Sequence, residues 1–449
     1  MKVHSSVKMM IGICTLATLL SGARAYSQTA MSDDVGNGGA MGEPFSFADF
    51  TWLNGNSRQT EFPLATKYFT PQVSIDTNYV YQFNRPKDHT LVGSTNSGRT
   101  SEFQVQQVGV GGDLNYKNVR ARIMTQIGMY STMTPRNDAS PSRGAWKQDD
   151  AYRYISEAYA GYHFDYMHGL NVDVGIFMSY IGLFSYYNYE NWAYQMSYVS
   201  ANTPWFFNGM RVQLYPTDRL KLELWLVNGW QSYGMYNEAP GVGAQVLYRP
   251  IGWFSFVSNN YYGFDTLNNP GRSRSHTDNS VQVKYYDSPA NFANRAAFSV
   301  TADAGCEDGG GVSCGDQYFL GFMVYNRVWF DHSHYAITVG GGAMNNPGRY
   351  LALLPPVNGA TAASGTPAFT QNPGDPFHAW DSSLTFDYMP TENITWRAEY
   401  THREADVPYF AGSRGITGGS PTGPGDVTGF TPDLVKSESR INLALMIRL

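Results

Sequence analysis

Apolar and polar residues alternate along most of this chain, and the segment Met210–Val227 shows the pattern on both sides of one turn. Apolar side chains occupy every second position before Pro216, and after Asp218 four leucines alternate with residues that include Lys221 and Glu223. A β-strand sends successive side chains to opposite faces, so this period of two predicts a hairpin with one apolar and one polar face. The hairpin alone leaves open whether its apolar face meets a second sheet or lipid.

The alternation continues from Gln72 to the C-terminus and predicts about sixteen antiparallel strands. Long polar loops and short turns follow each other strictly between these strands. Strands of about 9 to 12 residues, tilted by about 45°, cross the outer-membrane hydrocarbon, and such barrels have short periplasmic turns and long extracellular loops. The sequence therefore predicts an all-β fold in which residues 69–449 form a transmembrane antiparallel β-barrel. It also predicts a bulge at Gln106 and Gln107, where the parity breaks, and a loop over residues 264–279.

Composition agrees with strands and turns more than with helices. Aromatic residues make up 15% of the chain, charged residues another 15%, and glycine occurs 46 times. The mean hydropathy of −0.35 resembles that of a soluble protein. A barrel with a watery lumen, however, shows its apolar band only at every second residue. Beyond the N-terminus, no apolar run reaches the roughly 18 residues of a membrane-spanning helix, which excludes a helical membrane protein.

The N-terminus has the features of a secretory signal. Lys2 and Lys8 precede an apolar run, and Ala23-Arg24-Ala25 offers the small-x-small cleavage pattern, so residues 1–25 are predicted to be a signal peptide. The alternative is a buried first helix. Cleavage of the signal peptide removes three basic residues and changes the net charge from −6 to −9. This negative charge argues against nucleic acid as a partner. Residues 26–68 are predicted to be a periplasmic lead-in to the barrel, with a partly disordered terminus as the alternative.

Two cysteines remain after the signal peptide, Cys306 and Cys314, in a glycine-rich stretch with seven residues between them. In an oxidising compartment they are predicted to form a disulfide. Zinc is the competing interpretation, but no histidine or second cysteine pair lies nearby. Glu307, Asp308 and Asp316 could bind Ca²⁺, although their spacing matches no EF-hand. No metal site and no cofactor are predicted.

The polar faces of the strands predict a charged wall around the lumen. Acidic and basic residues balance there, so the strands indicate neither anion nor cation selectivity. Arg120 and Arg122 form the least neutralised local cluster and are candidates for a constriction, because rings of charge set pore preference. The alternative is that many of these residues form cross-strand pairs that stabilise the wall. The predicted pore-lining residues are Arg120, Arg122, Glu157, Asp173, Arg211, Lys221, Glu223, Lys284, Arg295, Asp387, Arg397 and Glu399.

The third long loop is unusually aromatic for a segment of a kind that is normally polar. One hypothesis is that it folds into the barrel and narrows it, with ring faces that stack on sugars or other amphipathic solutes. The alternative places these rings at the membrane interface or packs the loop onto the wall. The candidate constriction residues are Tyr186, Tyr187, Tyr189, Trp192 and Tyr194.

Catalytic motifs are weak in this sequence. His332 and His334 flank a short turn beside Asp331, and a His-Arg-Glu run occupies 402–404. Neither has the spacing of a metalloprotease or a partnered nucleophile. No catalytic residue is predicted, and an outer-membrane enzyme is kept only as an alternative.

Four segments carry a resemblance to a known family: FTWLNGNSRQ, NVRARIMTQIGMYS, NWAYQMSYVSANTPWFFNG and YPTDRLKLELWLVNGWQSYG. With them, most of the mature chain resembles the OmpL-like outer-membrane β-barrel porins. One departure from outer-membrane barrels in general is Leu449 at the C-terminus, where phenylalanine is frequent.

The resemblance implies a porin of the bacterial outer membrane, surrounded by outer-membrane lipid. Small hydrophilic solutes or ions would diffuse passively through its polar lumen without a cofactor. A homotrimer is the expected assembly, by analogy with porins of this size. The alternative function is a plugged surface-display or adhesion barrel whose extracellular loops bind partners.

Overall fold

The computed structural model describes residues 43–353, 369–414 and 433–449. Within these ranges, sixteen strands form one closed antiparallel barrel, as predicted. The first strand, β1 (Phe69–Gln82), pairs with the last, β18 (Ser437–Arg448). Among the same residues, no helix is long and apolar enough to span a membrane. The predicted signal peptide, residues 1–25, lies outside the described residues.

Each barrel strand pairs with its neighbours in the chain, except that β15 pairs with β18 across a long loop. That loop contributes a separate two-stranded sheet, β16 (Phe410–Ala411) with β17 (Leu434–Val435). The barrel strands are β1 (Phe69–Gln82), β2 (Phe103–Tyr116), β3 (Val119–Thr125), β4 (Ile155–Phe164), β5 (Leu170–Met178), β6 (Phe206–Thr217), β7 (Leu220–Val227), β8 (Gly241–Ile251), β9 (Phe254–Gly263), β10 (Ser273–Asp287), β11 (Ala293–Asp308), β12 (Tyr318–Phe330), β13 (Tyr335–Asn345), β14 (His378–Thr391), β15 (Ile394–Ala405) and β18 (Ser437–Arg448).

The helices are short and lie in the long loops. They are α1 (Tyr130–Met133), α2 (Gln148–Tyr152) and α3 (Tyr198–Ala201), with 3-10 turns at Thr134–Asn137, Ser140–Ser142 and Asn188–Glu190.

Burial is inverted relative to a soluble sheet, and β14 shows this most clearly. Its apolar residues Trp380, Leu384 and Phe386 are exposed on the outside, whereas Asp381 and Thr385 between them are buried inside. A strand in a membrane barrel exposes its apolar residues to lipid and turns its polar ones to the lumen. The two-residue period therefore has the orientation that the sequence predicts.

The predicted bulge is confirmed on β2. Asp76 pairs with Gln107, and the next residue of β1, Thr77, pairs with Val105, so Gln106 has no partner on β1. The extra residue lets both glutamines turn inward, since each is at most 2% exposed.

The predicted loop over residues 264–279 is wrong in its second half. β10 begins at Ser273 and pairs with β9 and β11 from there. In this stretch polar residues occupy both faces, with Ser275 and Thr277 outside and His276 and Asp278 inside. An apolar and polar alternation cannot reveal a strand whose two faces are both polar.

Candidate functional site: the barrel interior

The third loop, residues 179–205 between β5 and β6, lies inside the barrel. Its polar atoms bond to inward-facing residues of β1, β4, β14 and β15, and β14 lies on the opposite side of the barrel from β6 in the strand order. The loop therefore crosses the interior. The five predicted constriction residues are all buried, none more than 9% exposed: Tyr186, Tyr187, Tyr189, Trp192 and Tyr194. Their role in narrowing the lumen stays a prediction.

The first part of the loop is anchored by two tyrosine hydroxyls. Tyr187 donates to Glu157 Oε1 on β4 at 2.7 Å, and Tyr186 donates to Gln126 Oε1, just after β3, at 2.6 Å. Burial raises the pKa of Tyr186 well above its ordinary value, so this hydroxyl remains a neutral donor. Both contacts use groups that lie far apart in sequence.

The next contacts reach β1 and the end of β18. The Tyr189 hydroxyl accepts from Gln72 Nε2 at 2.8 Å, and the Arg448 guanidinium lies 5.0 Å from the centre of the Tyr189 ring. Arg448 also bonds to Glu190 Oε1 at 2.6 Å. An arginine over an aromatic face combines charge attraction with packing.

Asp76 on β1 is an anchor that was not among the predicted site residues. Its carboxylate accepts from Asn188 Nδ2 at 2.7 Å and from the Tyr194 hydroxyl at 2.9 Å, and the residue is 2% exposed. Two donors from the loop thus satisfy a buried charge on the wall.

The far wall holds the loop through two further carboxylates. Glu399 on β15 accepts the backbone N–H of Tyr194 at 2.6 Å and that of Gln195 at 2.7 Å. Asp381 on β14 accepts the Ser197 hydroxyl at 2.8 Å. Backbone amides that donate to a carboxylate make short, charge-assisted bonds, so this wall fixes the middle of the loop.

Two arginines share one carboxylate beside the loop. Arg397 Nε and an Arg327 terminal nitrogen each bond to Asp387 at 2.6 Å. The same arginines donate to loop carbonyls, Arg397 to that of Asn191 at 2.6 Å and Arg327 to that of Trp192 at 3.2 Å. They connect the wall to the loop backbone.

Arg120 and Arg122, interpreted from the sequence as the least neutralised local cluster, both have acidic partners. Arg122 bonds to Glu157 at 2.9 Å, and Arg120 lies 3.2 Å from Asp173 two strands away. Arg120 can reach across β4 because the intervening position is Gly161, which pairs with both. The Arg120–Asp173 pair depends on the strand register, which local sequence does not reveal.

The other predicted pore-lining charges also have partners, and their role in permeation stays a prediction. The ion pairs are Arg211 with Asp173 at 2.8 Å, Lys221 with Glu223 at 2.6 Å, Lys284 with Asp287 at 2.5 Å, and Arg295 with Asp49 at 3.3 Å.

Charged residues missed by the sequence analysis also face inward. Asp381 lies six residues before Asp387 on β14, and Arg403 lies six residues after Arg397 on β15, where it bonds to Glu438 at 2.6 Å. An even separation on one strand places both members on the same face. That parity could have found them, had the strands been extended to their full length.

Residues 43–68 of the predicted lead-in are described, and the part over 43–61 is here called the N-terminal segment. It lies along the short-turn end of the barrel. Phe45 N–H donates to the Asp218 carbonyl in the β6–β7 turn at 2.7 Å. At the other end of the segment, Arg58 donates to the Ile394 carbonyl of β15 at 2.6 Å. β7 and β15 lie on opposite sides of the barrel in the strand order, so the segment reaches across this mouth.

The N-terminal segment and the third loop brace each other. Asn54 Oδ1 accepts the backbone N–H of Trp192 at 2.8 Å, and the Trp192 indole N–H donates to the Trp52 carbonyl at 3.2 Å. Asn54 N–H donates in turn to Gln282 on β10 at 2.8 Å. Trp52 is fully buried, so this segment is packed into the barrel mouth.

A cavity of about 360 Å³ lies between these two segments at the short-turn end. Residues 332–334 of the β12–β13 turn, and residues 389–392 at the end of β14 and just after it, also line it. Trp192 and Trp329 meet edge to face on its wall with ring centres 5.7 Å apart. Its volume lies in the lower part of the range of small-molecule sites.

The weak catalytic candidates do not form a site. His332 and His334 line the cavity, and His334 lies 3.6 Å from Asp331. On β15, Arg403 is buried inside while Glu404 is exposed outside, so the 402–404 run is divided between two faces. Within the described ranges, no three His, Cys, Asp or Glu residues are placed to hold a metal ion.

The predicted disulfide between Cys306 and Cys314 is confirmed, with Cα atoms 5.1 Å apart. Cys306 lies on β11, which extends further than expected. Glu307 faces the interior and bonds to Arg274 at 2.7 Å, whereas Asp316 accepts from Ser313 at 3.1 Å. These carboxylates therefore point to different partners and do not converge on a calcium position.

Residues 68–435 match the family model described as "Putative beta-barrel porin-2, OmpL-like". The fold is similar to that of an anion-selective porin from Comamonas acidovorans, with a TM-score of 0.50, 9% identity, and coverage of 85% of this chain and 99% of that one. It is similar also to the trimer form of in-vitro folded OmpT, an outer membrane protein of Vibrio cholerae, with the same TM-score of 0.50, 9% identity, and coverage of 85% and 99%. Among curated proteins, none matches the chain.

Proposed function

The chain belongs to the OmpL-like β-barrel porins of the bacterial outer membrane, and from this premise we propose that small hydrophilic solutes and ions diffuse passively past its third loop. One observation carries the proposal. A loop that starts at β5 and ends at β6 is bonded through Glu399 and Asp381 to the opposite wall. A segment held in this way across the interior reduces the cross-section of the lumen that is open to solutes.

The chemistry of the interior supports passage of polar solutes. A barrel of about sixteen strands is wide enough for an aqueous channel unless loops fill it. Here the inward faces carry ion pairs such as Arg211 with Asp173 and Lys221 with Glu223. Fixed charges and amides offer hydrogen bonds that replace part of the water shell of a passing solute.

We propose further that passage involves no enzymatic turnover and that the assembly is a homotrimer. The chain matches a porin family over residues 68–435, and OmpT, with a similar fold, is recorded in a trimer form. Crosslinking of the protein in native outer membranes tests the trimer, with monomer bands alone as the contrary result.

Planar-bilayer recording on full-length refolded protein tests the proposed passage. Stepwise, ohmic conductance and sugar-driven swelling of proteoliposomes are expected. A folded barrel without either would overturn the proposal and favour the plugged, partner-binding barrel. That second function is favoured by one observation, the direct bracing of the third loop by the N-terminal segment through Asn54 and Trp192.

A further inference from the structure

We propose that the cavity at the short-turn end is a binding site for a small organic anion, a single ring that carries one carboxylate. It lies between the N-terminal segment and the third loop and measures about 360 Å³. Small-molecule sites start at about 300 Å³, so the space suits a solute of this size. The proposal deepens the proposed function and rests on it, because solute reaches the cavity through the barrel mouth.

Basic side chains outnumber acidic ones among the residues that line the cavity. Arg58, Arg327 and Arg397 line it, together with the acidic Glu392. The carboxylate nearest to the arginines is Asp387, which Arg327 and Arg397 share at 2.6 Å each. Around Arg58, three arginines thus line the cavity with one acidic lining residue, Glu392, so this part of the lining is mainly basic.

The remaining charged lining residues cancel. Arg295 pairs with Asp49 at 3.3 Å, and Glu190 pairs with Arg448 at 2.6 Å. His332 and His334 also line the cavity and add hydrogen-bonding groups. The excess therefore belongs to the cluster around Arg58.

Arg58 keeps donor capacity for a ligand. In the described part of the chain, Arg58 bonds to the Thr395 hydroxyl at 2.7 Å and to backbone carbonyls, but to no carboxylate. Burial lowers the pKa of Arg58 to about 10, as expected for a guanidinium without a paired acid. Arg327 is 4% exposed, and its Nε has no hydrogen-bond partner among the described residues. A hydrogen bond from the charged Arg58 to a bound carboxylate is stronger than one between neutral groups.

The cavity also offers aromatic surface for the ring of such a solute. Trp192 and Trp329 both line it, and they hold each other edge to face. Trp192 is positioned beforehand by its bonds to Asn54 and Trp52. A rigid aromatic wall beside guanidinium groups can bind a ring and its carboxylate together, with little ordering on binding.

Sugar acids and aromatic acids both carry this chemistry, and calorimetric titration of the full-length refolded protein distinguishes them. The probes are D-glucuronate, benzoate and uncharged D-glucose. Binding of an acid with no detectable binding of glucose is the expected result, and the acid that binds identifies the source. Failure of both acids to bind, or glucose binding as tightly as either acid, would overturn the proposal.

Arg58→Gln tests the charge, because it removes the guanidinium from a segment outside the barrel wall. The dissociation constant of the acid should rise at least about tenfold, as for loss of a hydrogen bond to a charged group. Arg58→Lys should recover part of the affinity. The matched control is Arg143→Gln, an exposed arginine in the loop between β3 and β4. Equal affinities for Arg58→Gln and Arg143→Gln would refute the site, provided that gel heat-modifiability shows both barrels folded.

Bilayer recording on the same preparations separates this inference from the proposed function. If the protein binds an acid but conducts no current, the binding site is supported and passive passage is refuted. Conductance by a protein that binds neither acid would keep the passage and refute the site.

Discussion

The backbone N–H of Tyr194 donates to the carboxylate of Glu399 at 2.6 Å, and this bond fastens the middle of the third loop to β15. Glu399 is 2% exposed and accepts a second loop amide, that of Gln195, at 2.7 Å. One wall residue thus accepts two amides from a loop that starts on the other side of the barrel. A substitution of Glu399 is therefore the most direct way to change the position of that loop.

Glu399→Gln should raise single-channel conductance and current noise. Glutamine keeps one carbonyl oxygen but turns an NH₂ group toward the second amide, so the loop loses a charge-assisted bond of about 1.5 to 3 kcal/mol. Planar-bilayer recording measures the effect. The control is Glu404→Gln, an outward-facing exposed residue of the same strand. Identical conductance for both variants would contradict the view that the third loop sets the narrowing.

Gly161→Ala should destabilise the barrel by about 1 to 3 kcal/mol, the cost of overpacking a tight site. A Cβ at this position would lie 2.2 Å from Asp173 Oδ1 and 2.3 Å from the Val172 carbonyl oxygen. The Arg120 and Asp173 pair would then separate. Urea unfolding in lipid vesicles measures the change. Gly144→Ala is the control, since nothing lies within 4 Å of the added methyl group; equal midpoints would refute the packing argument.

Leu224→Arg should lower the free energy of unfolding by about 2 to 4 kcal/mol if the residue lies near the bilayer midplane. Leu224 is 66% exposed on the outer face of β7. A charge there would have to enter hydrocarbon. The control is Phe292→Arg, an exposed residue in the short turn before β11, because the cost of a charge falls to about 0 to 1 kcal/mol near the interface. A neutral Leu224→Arg, measured by urea unfolding in vesicles, would place this face away from lipid.

Replacing both Cys306 and Cys314 by serine should cost about 2 to 3 kcal/mol at most, because the closed loop is short. The effect should be local, with faster amide exchange in residues 309–317 and unchanged conductance. Hydrogen exchange measures the first and bilayer recording the second. A large change in conductance would show that this loop, too, acts on the lumen.

Much of the wall could be predicted from local sequence. The period of two gave the barrel and the direction of its faces, and the parity break at Gln106 gave the bulge that the register confirms. The cysteine pair, separated by eight positions, was predictable for the same reason. In each case the residues that decide the structure are close together in the chain. Where both faces are polar, as from Ser273 onward in β10, the signal disappeared and the strand was missed.

The contacts inside the barrel could not be predicted from local sequence. Arg120 meets Asp173 only because the register of three strands places Gly161 between them. Asn54 meets Trp192 across 138 positions of sequence. Glu399 can contact the third loop only after the barrel has closed.

By itself, then, the sequence determined the antiparallel wall, its apolar outer face and its short and long connections, because strand geometry repeats every two residues and acts locally. Only the tertiary structure decided what occupies the space that the wall encloses. That outcome depends on contacts between residues on different strands and segments, and their distances are set by barrel closure and register, which no local pattern encodes.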